Sequence, residues 1–146
     1  MEYKNIDYEK IDYLISHLIR SLGKETQEIF EEKITIPQFV VLQTVSKTKK
    51  CNLKDIVDEL GNTTGSASLL IDKMTKLGYI VRERDDNDRR LIWLTFSEKG
   101  KRLYEQITEK RNEVLESYFS KWTEQETQLF MKLLDKTLGE KGEDNK

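Results

Sequence analysis

Within residues 61 to 100, GNTTGSASLLIDKMTKLGYIVRERDDNDRRLIWLTFSEKG, the spacing of apolar residues switches from a helical to a strand pattern, which fixes the order of the elements. Ala67, Leu70, Ile71, Met74 and Leu77 recur at three- and four-residue intervals and predict a helix with one apolar stripe, while Ser66, Leu69, Lys73 and Lys76 face elsewhere. Thr63 or Thr64 can cap its start by accepting from an unpaired backbone N–H, and Gly78 can end it in a left-handed conformation. Upstream, Asn52 can cap a shorter helix with Leu53, Ile56, Val57 and Leu60 on one stripe, and Gly61 with Asn62 turns the chain between the two. Downstream, YIVRER and RLIWLTF are rich in β-branched and aromatic residues and are separated by DDND, which predicts a β-hairpin. Two short helices joined by a glycine-containing turn and followed by a hairpin read as a winged helix-turn-helix, a shape suited to gripping duplex DNA.

The hairpin tip carries Asp85, Asp86 and Asp88 beside Arg89 and Arg90, so its mixed charge draws phosphate weakly and individual arginines must make the contact. An arginine at the tip of a rigid hairpin can enter the minor groove, where narrow A·T-rich segments concentrate negative potential. A carboxylate two residues earlier can hold the guanidinium fork in one orientation, and Asp88 and Arg90 have that spacing.

An Asp-x-Arg in the hairpin, followed by an apolar residue, a hydroxyl residue and a glycine, resembles the wing of the MarR family of bacterial transcription regulators. The matching positions are Asp88, Arg90, Phe96, Ser97 and Gly100, with Phe96-Ser97 where the family more often shows Leu-Thr. The likeness extends over nearly the whole chain, including an amino-terminal helix, the ITIPQFVVLQTV segment and a carboxy-terminal helical pair. One departure lies on the recognition helix, where Leu69 follows Ser68 and many relatives carry arginine. The resemblance implies a homodimer whose first, fifth and sixth helices interlock and set two recognition helices about one duplex turn, roughly 34 Å, apart. Its operator would then be pseudo-palindromic double-stranded DNA.

Roles follow by position. Thr64, Ser66, Ser68, Leu69 and Lys73 are the recognition-helix candidates: hydroxyls for base edges or phosphates, Leu69 for a thymine methyl, Lys73 for a guanine or phosphate. Asp88, Arg89 and Arg90 are the wing candidates, and Lys54, like Thr64, suits a phosphate. For Ser66 and Ser68 ordinary capping and solvation is an equal alternative, and for the lysines a solvated surface is the stronger one.

The remaining sequence mounts this motif. Ile11, Leu14, Ile15, Leu18, Ile19 and Leu22 predict a long amphipathic helix with a break near Gly23. Thr35 with Gln38 forms a capping-box pattern, Pro37 falls in the first turn, and Phe39, Leu42 and Val45 point inward. Two further helices follow Ser97, the second announced by Thr123 with Glu126. The expected fold class is mainly α with a small β-hairpin wing (α+β). It comprises one domain over 1–146, with a winged lobe at 35–97, dimerisation helices at 1–34 and 98–140, and a frayed tail at 141–146.

Composition frames these assignments. A formal charge of -2 argues against an indiscriminate polycation, so distribution counts: Lys47, Lys49, Lys50 and Lys54 precede or open the motif, while acid gathers in TEQE and the terminal GEKGED. A single cysteine, Cys51, excludes an intrachain disulfide and is read as a partly buried bystander; no signal peptide or membrane-length apolar run is visible, which fits the cytoplasm. His17 shares a helix face with Tyr13, Arg20 and Lys24, which would line a pocket for a small aromatic or acidic effector if a dimer enclosed it; a plain interface or surface histidine is the commoner case. Trp93 and Trp122 could stack on a ligand, but aromatics at strand and helix ends are usually core, and they are read so. No phosphate loop, nucleophile elbow or zinc motif is present, so neither an enzyme nor a cofactor or metal protein is expected, and no membrane partner. The reading is a DNA-binding regulator, a repressor relieved by a small effector; the alternative is a winged-helix protein impaired in DNA binding that acts through protein partners.

Overall fold

A computed structural model describes residues 5–139. The elements run α1 (Tyr8–Phe30), α2 (Ile36–Lys47), α3 (Leu53–Leu60), α4 (Thr64–Lys76), β1 (Ile80–Arg84), β2 (Ile92–Phe96), α5 (Glu98–Phe119) and α6 (Glu124–Leu138). The mainly helical fold with one antiparallel hairpin agrees with the sequence reading. The chain divides after Arg111 into two compact units, and the tail expected at 141–146 lies outside the described residues.

In the first unit, the core gathers Val41 and Leu42 of α2, Ile56 of α3, Ala67, Ile71 and Met74 of α4, and Ile80 and Leu94 of the hairpin. These are the stripe positions of the helices and the inward alternation of the strands, so one apolar cluster holds both helices of the motif and the wing. The side-chain oxygens of Thr35, Asn52 and Asp7 accept from backbone N–H groups three residues on and fix where α2, α3 and α1 begin.

Two expectations are corrected in this unit. α1 is not broken at Gly23: a glycine costs only about 1 kcal/mol in a helix interior, and the chain leaves the helix at Glu31 and Glu32, both at positive φ. Cys51 is fully rather than partly buried, because its carbonyl accepts the Leu94 N–H at 2.7 Å and draws the residue against β2 as an isolated bridge.

The second unit contains the end of α5 and all of α6, begun by the Thr123–Glu126 capping box. Phe119, Trp122 and Phe130 pack ring on ring at centroid separations of 4.8 to 5.5 Å. Trp122 is nevertheless 41% exposed, which corrects its reading as core. It lines an open groove of about 450 Å³ with Leu129, Phe130 and Leu133.

Candidate nucleic-acid interface

Thr63 is the cap of α4: its Oγ1 accepts the Ser66 N–H at 3.2 Å, and its hydroxyl donates to Ser66 Oγ at 3.1 Å. That leaves Thr64 in the first turn with its side chain in solvent. Thr64, Ser66, Leu69 and Lys73 are all exposed, opposite the buried Ala67, Ile71 and Met74. Leu69 is 72% exposed, a large apolar side chain presented outward from the helix. Ser68 is half-buried on the flank, and Lys54 is exposed on α3. At the far end, the Gly78 and Tyr79 N–H groups donate to Thr75 and Met74 carbonyls, closing α4 with a left-handed Gly78.

The hairpin is tied to this helix at its base. Ser97 donates its hydroxyl to the Gly78 carbonyl and accepts the Gly100 N–H at 2.9 Å, so one side chain links the end of α4 to the start of α5. A Cβ on Gly100 would lie 2.0 Å from the Tyr79 carbonyl oxygen, which explains why this position holds glycine. An Arg82–Asp72 ion pair joins β1 to α4.

At the tip, Arg90 is held by Asp88 through three bonds: backbone N–H to Oδ1 at 3.1 Å, Nε to Oδ1 at 3.2 Å, and a terminal nitrogen to Oδ2 at 3.4 Å. The Arg90 side chain is 91% exposed. Its fork is therefore oriented from behind while remaining free to meet a polyanion, the geometry that the two-residue spacing anticipated. Arg89 is exposed beside it.

Several residues of the site were not read from the sequence. Asp85 accepts from Trp93 Nε1 at 2.9 Å and lies 3.9 Å from Lys50 Nζ; Lys50 also sits 5.4 Å from the Trp93 ring. The Trp93 N–H, followed by the backbone N–H groups of Asp88 and Asn87, holds the Asp85 carboxyl below the usual carboxylate range. Trp93 is half-buried rather than core. Asp72 and Arg82 pair across ten residues, a separation that local spacing rules do not cover. Away from the wing, Arg111 lies half-buried with its guanidinium 4.7 Å from the Phe39 ring, and burial lowers its pKa.

Tyr13, His17 and Arg20 are exposed along α1, with the Tyr13 and His17 rings stacked at 6.0 Å. Burial raises the Cys51 thiol from 9.0 to about 12, which keeps it protonated and poorly nucleophilic. Among the described residues, no group of three or more His, Cys, Asp or Glu could hold a metal ion, and no helix is long and apolar enough to cross a membrane.

The MarR family model matches residues 34–92, the stretch that builds α2, α3, α4 and the first part of the wing. Over that stretch the chain is similar to the MarR family. Members of that family are non-enzymatic regulators of transcription. An uncharacterised HTH-type transcriptional regulator of Bacillus subtilis, YwhA, is 27% identical over 138 residues, covering 90% of this chain and 98% of the relative. Among solved structures, a MarR family protein from Bacillus stearothermophilus superposes with a TM-score of 0.77 at 24% identity, covering 89% of this chain and 91% of that one. CouR from Rhodococcus jostii RHA1, solved bound to p-coumaroyl-CoA, gives 0.75 at 17% identity, covering 90% and 93%. These two structural likenesses speak for the fold.

Proposed function

We propose that this protein is a MarR-family regulator that binds pseudo-palindromic duplex DNA sequence-specifically as a homodimer and acts in the cytoplasm as a repressor. The observation that carries the reading is Arg90, 91% exposed at the wing tip with its fork held by Asp88. Beside it, Arg89 adds charge, and Thr64, Ser66, Ser68, Leu69 and Lys73 line the recognition helix. Leu69 meets a thymine methyl where an arginine would read guanine. Lys54 takes a phosphate.

Dimerisation is supported by apolar surface that a lone chain leaves in water. On α1, Ile11, Leu14, Ile15 and Ile19 are exposed, and on α6, Leu129, Leu133, Leu134 and Leu138 are as well. Control by a small acidic or aromatic ligand is supported by Arg111, which is half-buried and makes no salt bridge among the described residues, and by the neighbouring Thr108 hydroxyl, buried without a partner. Tyr13, His17 and Arg20, exposed along α1, are a separate candidate lining where a second chain covers that helix. The structurally similar CouR was solved with p-coumaroyl-CoA bound.

The test is a titration against duplexes selected from a random-sequence pool at several salt concentrations. The logarithm of affinity should fall linearly with log salt as counterions are released. Arg90→Ala should weaken binding by about 1–3 kcal/mol, and Lys54→Ala should lower the salt slope by about 1. Binding that is absent or flat in salt would reject the reading and favour action through protein partners.

A further inference from the structure

We propose that Asp85 is a positioning residue that sets the direction in which Arg90 leaves the wing, with Trp93 and Lys50 as its anchors. The proposal rests on the DNA-binding reading above and deepens it.

The connection between β1 and β2 runs over residues 85–91, too long for a two-residue turn whose geometry alone would aim the tip. A loop of that length needs internal bonds to hold one shape, and Asp85 supplies three of them. Its Oδ2 accepts the N–H groups of Asn87 and Asp88, both at 3.0 Å, which fixes the first half of the loop. The Asp85 N–H donates to the Leu91 carbonyl, and the Leu91 N–H to the Asp88 carbonyl, each at 3.0 Å, which closes the second half.

The other carboxylate oxygen points the opposite way. Oδ1 takes the Trp93 indole N–H and faces Lys50, so the loop is fastened to β2 and to the segment between α2 and α3. Asp85 thus stands between a fixed base and Asp88, and Asp88 in turn carries the three bonds to Arg90. The Asp85 side chain is 16% exposed against 91% for Arg90, as a brace and the arm it supports should be. Arginine carries about 2 kcal/mol of rotamer entropy, which a prearranged fork does not have to lose at the moment of binding.

The experiment uses the full chain and a duplex selected by the wild-type protein from a random pool. Asp85→Ala should weaken binding about tenfold, while in the Arg90→Ala background the same change should cost less than about twofold, because residues acting through one contact are not additive. The 15N-labelled protein should show two indole N–H resonances, assigned with Trp93→Phe, and Asp85→Ala should move that of Trp93 and leave that of Trp122. Equal affinity of folded Asp85→Ala and wild type, or fully additive losses in the double variant, would overturn the proposal. Should Asp85→Ala fail to fold, Trp93→Phe removes one anchor alone: a loss of a few-fold supports the brace, and unchanged affinity overturns it. A wild-type protein that selects no duplex overturns the DNA-binding reading, and the role of Asp85 with it; a wild type that binds beside an equally tight Asp85→Ala overturns the Asp85 assignment alone.

Discussion

Two glycines near the site make opposite predictions because their surroundings differ. At Gly100 a methyl group would meet the Tyr79 carbonyl oxygen at 2.0 Å, and backbone cannot swing aside as a side chain would, so Gly100→Ala should lower the melting temperature by several degrees in a thermal scan. At Gly65, in the exposed first turn of α4, nothing lies within 4 Å of such a methyl. Gly65→Ala should raise stability by about 0.5–1 kcal/mol in denaturant unfolding, and, if the first turn approaches a phosphate closely, should weaken DNA binding at the same time. Cys51 yields a chemical test. Its folded thiol titrates near 12 against 9.0 for the ordinary group, so it should resist a thiol reagent at pH 8 and react at once in denaturant. The sign follows from linkage: above pH 9 the unfolded thiol ionises first, and the stability it confers is lost as pH rises through about 12. The Asp88–Arg90 pair was legible because its partners are two residues apart, whereas the surroundings of Cys51 and Gly100 are made by segments distant in the chain.

Helix starts were legible for the same local reason. Thr35 with Gln38, Asn52, and Thr123 with Glu126 each satisfy an N–H within their own first turn, so the signal lies inside four residues. Thr63 extends this to the recognition helix, and Thr63→Ala should cost about 1 kcal/mol of stability in denaturant unfolding. The break expected at Gly23 was wrong because a single residue's propensity is small beside the hydrogen bonds of the turns on either side. The pairing of β1 with β2 was readable from strand composition and the acidic turn, with Ile80 opposite Phe96 and Arg84 opposite Ile92. What fastens that hairpin was not: Arg82 with Asp72, and Ser97 with Gly78, are contacts between elements.

For the molecule, the feature of α1 that matters is its exposed apolar stripe: Ile11, Leu14, Ile15 and Ile19 are exposed, and among the described residues of the helix only Thr26 and Phe30 are buried. In the homodimer proposed above, that stripe is covered by a second copy. Ile15→Glu should therefore shift sedimentation from dimer toward monomer and, by separating the two half-site readers, weaken binding to the selected duplex far more than either half alone would predict. Retention of the dimer by that variant would reject α1 as the pairing helix.

Periodicity, capping residues and turn chemistry act over a few neighbouring residues, so the order of helices, the hairpin and the aspartate-held arginine could be read directly from the amino-acid order. Asp85 bound by Trp93 and Lys50, Arg111 desolvated above Phe39, and the thiol of Cys51 sealed against Leu94 depend on which segments meet. Folding alone decides that, since those contacts arise from burial of a shared core rather than from any spacing along the chain.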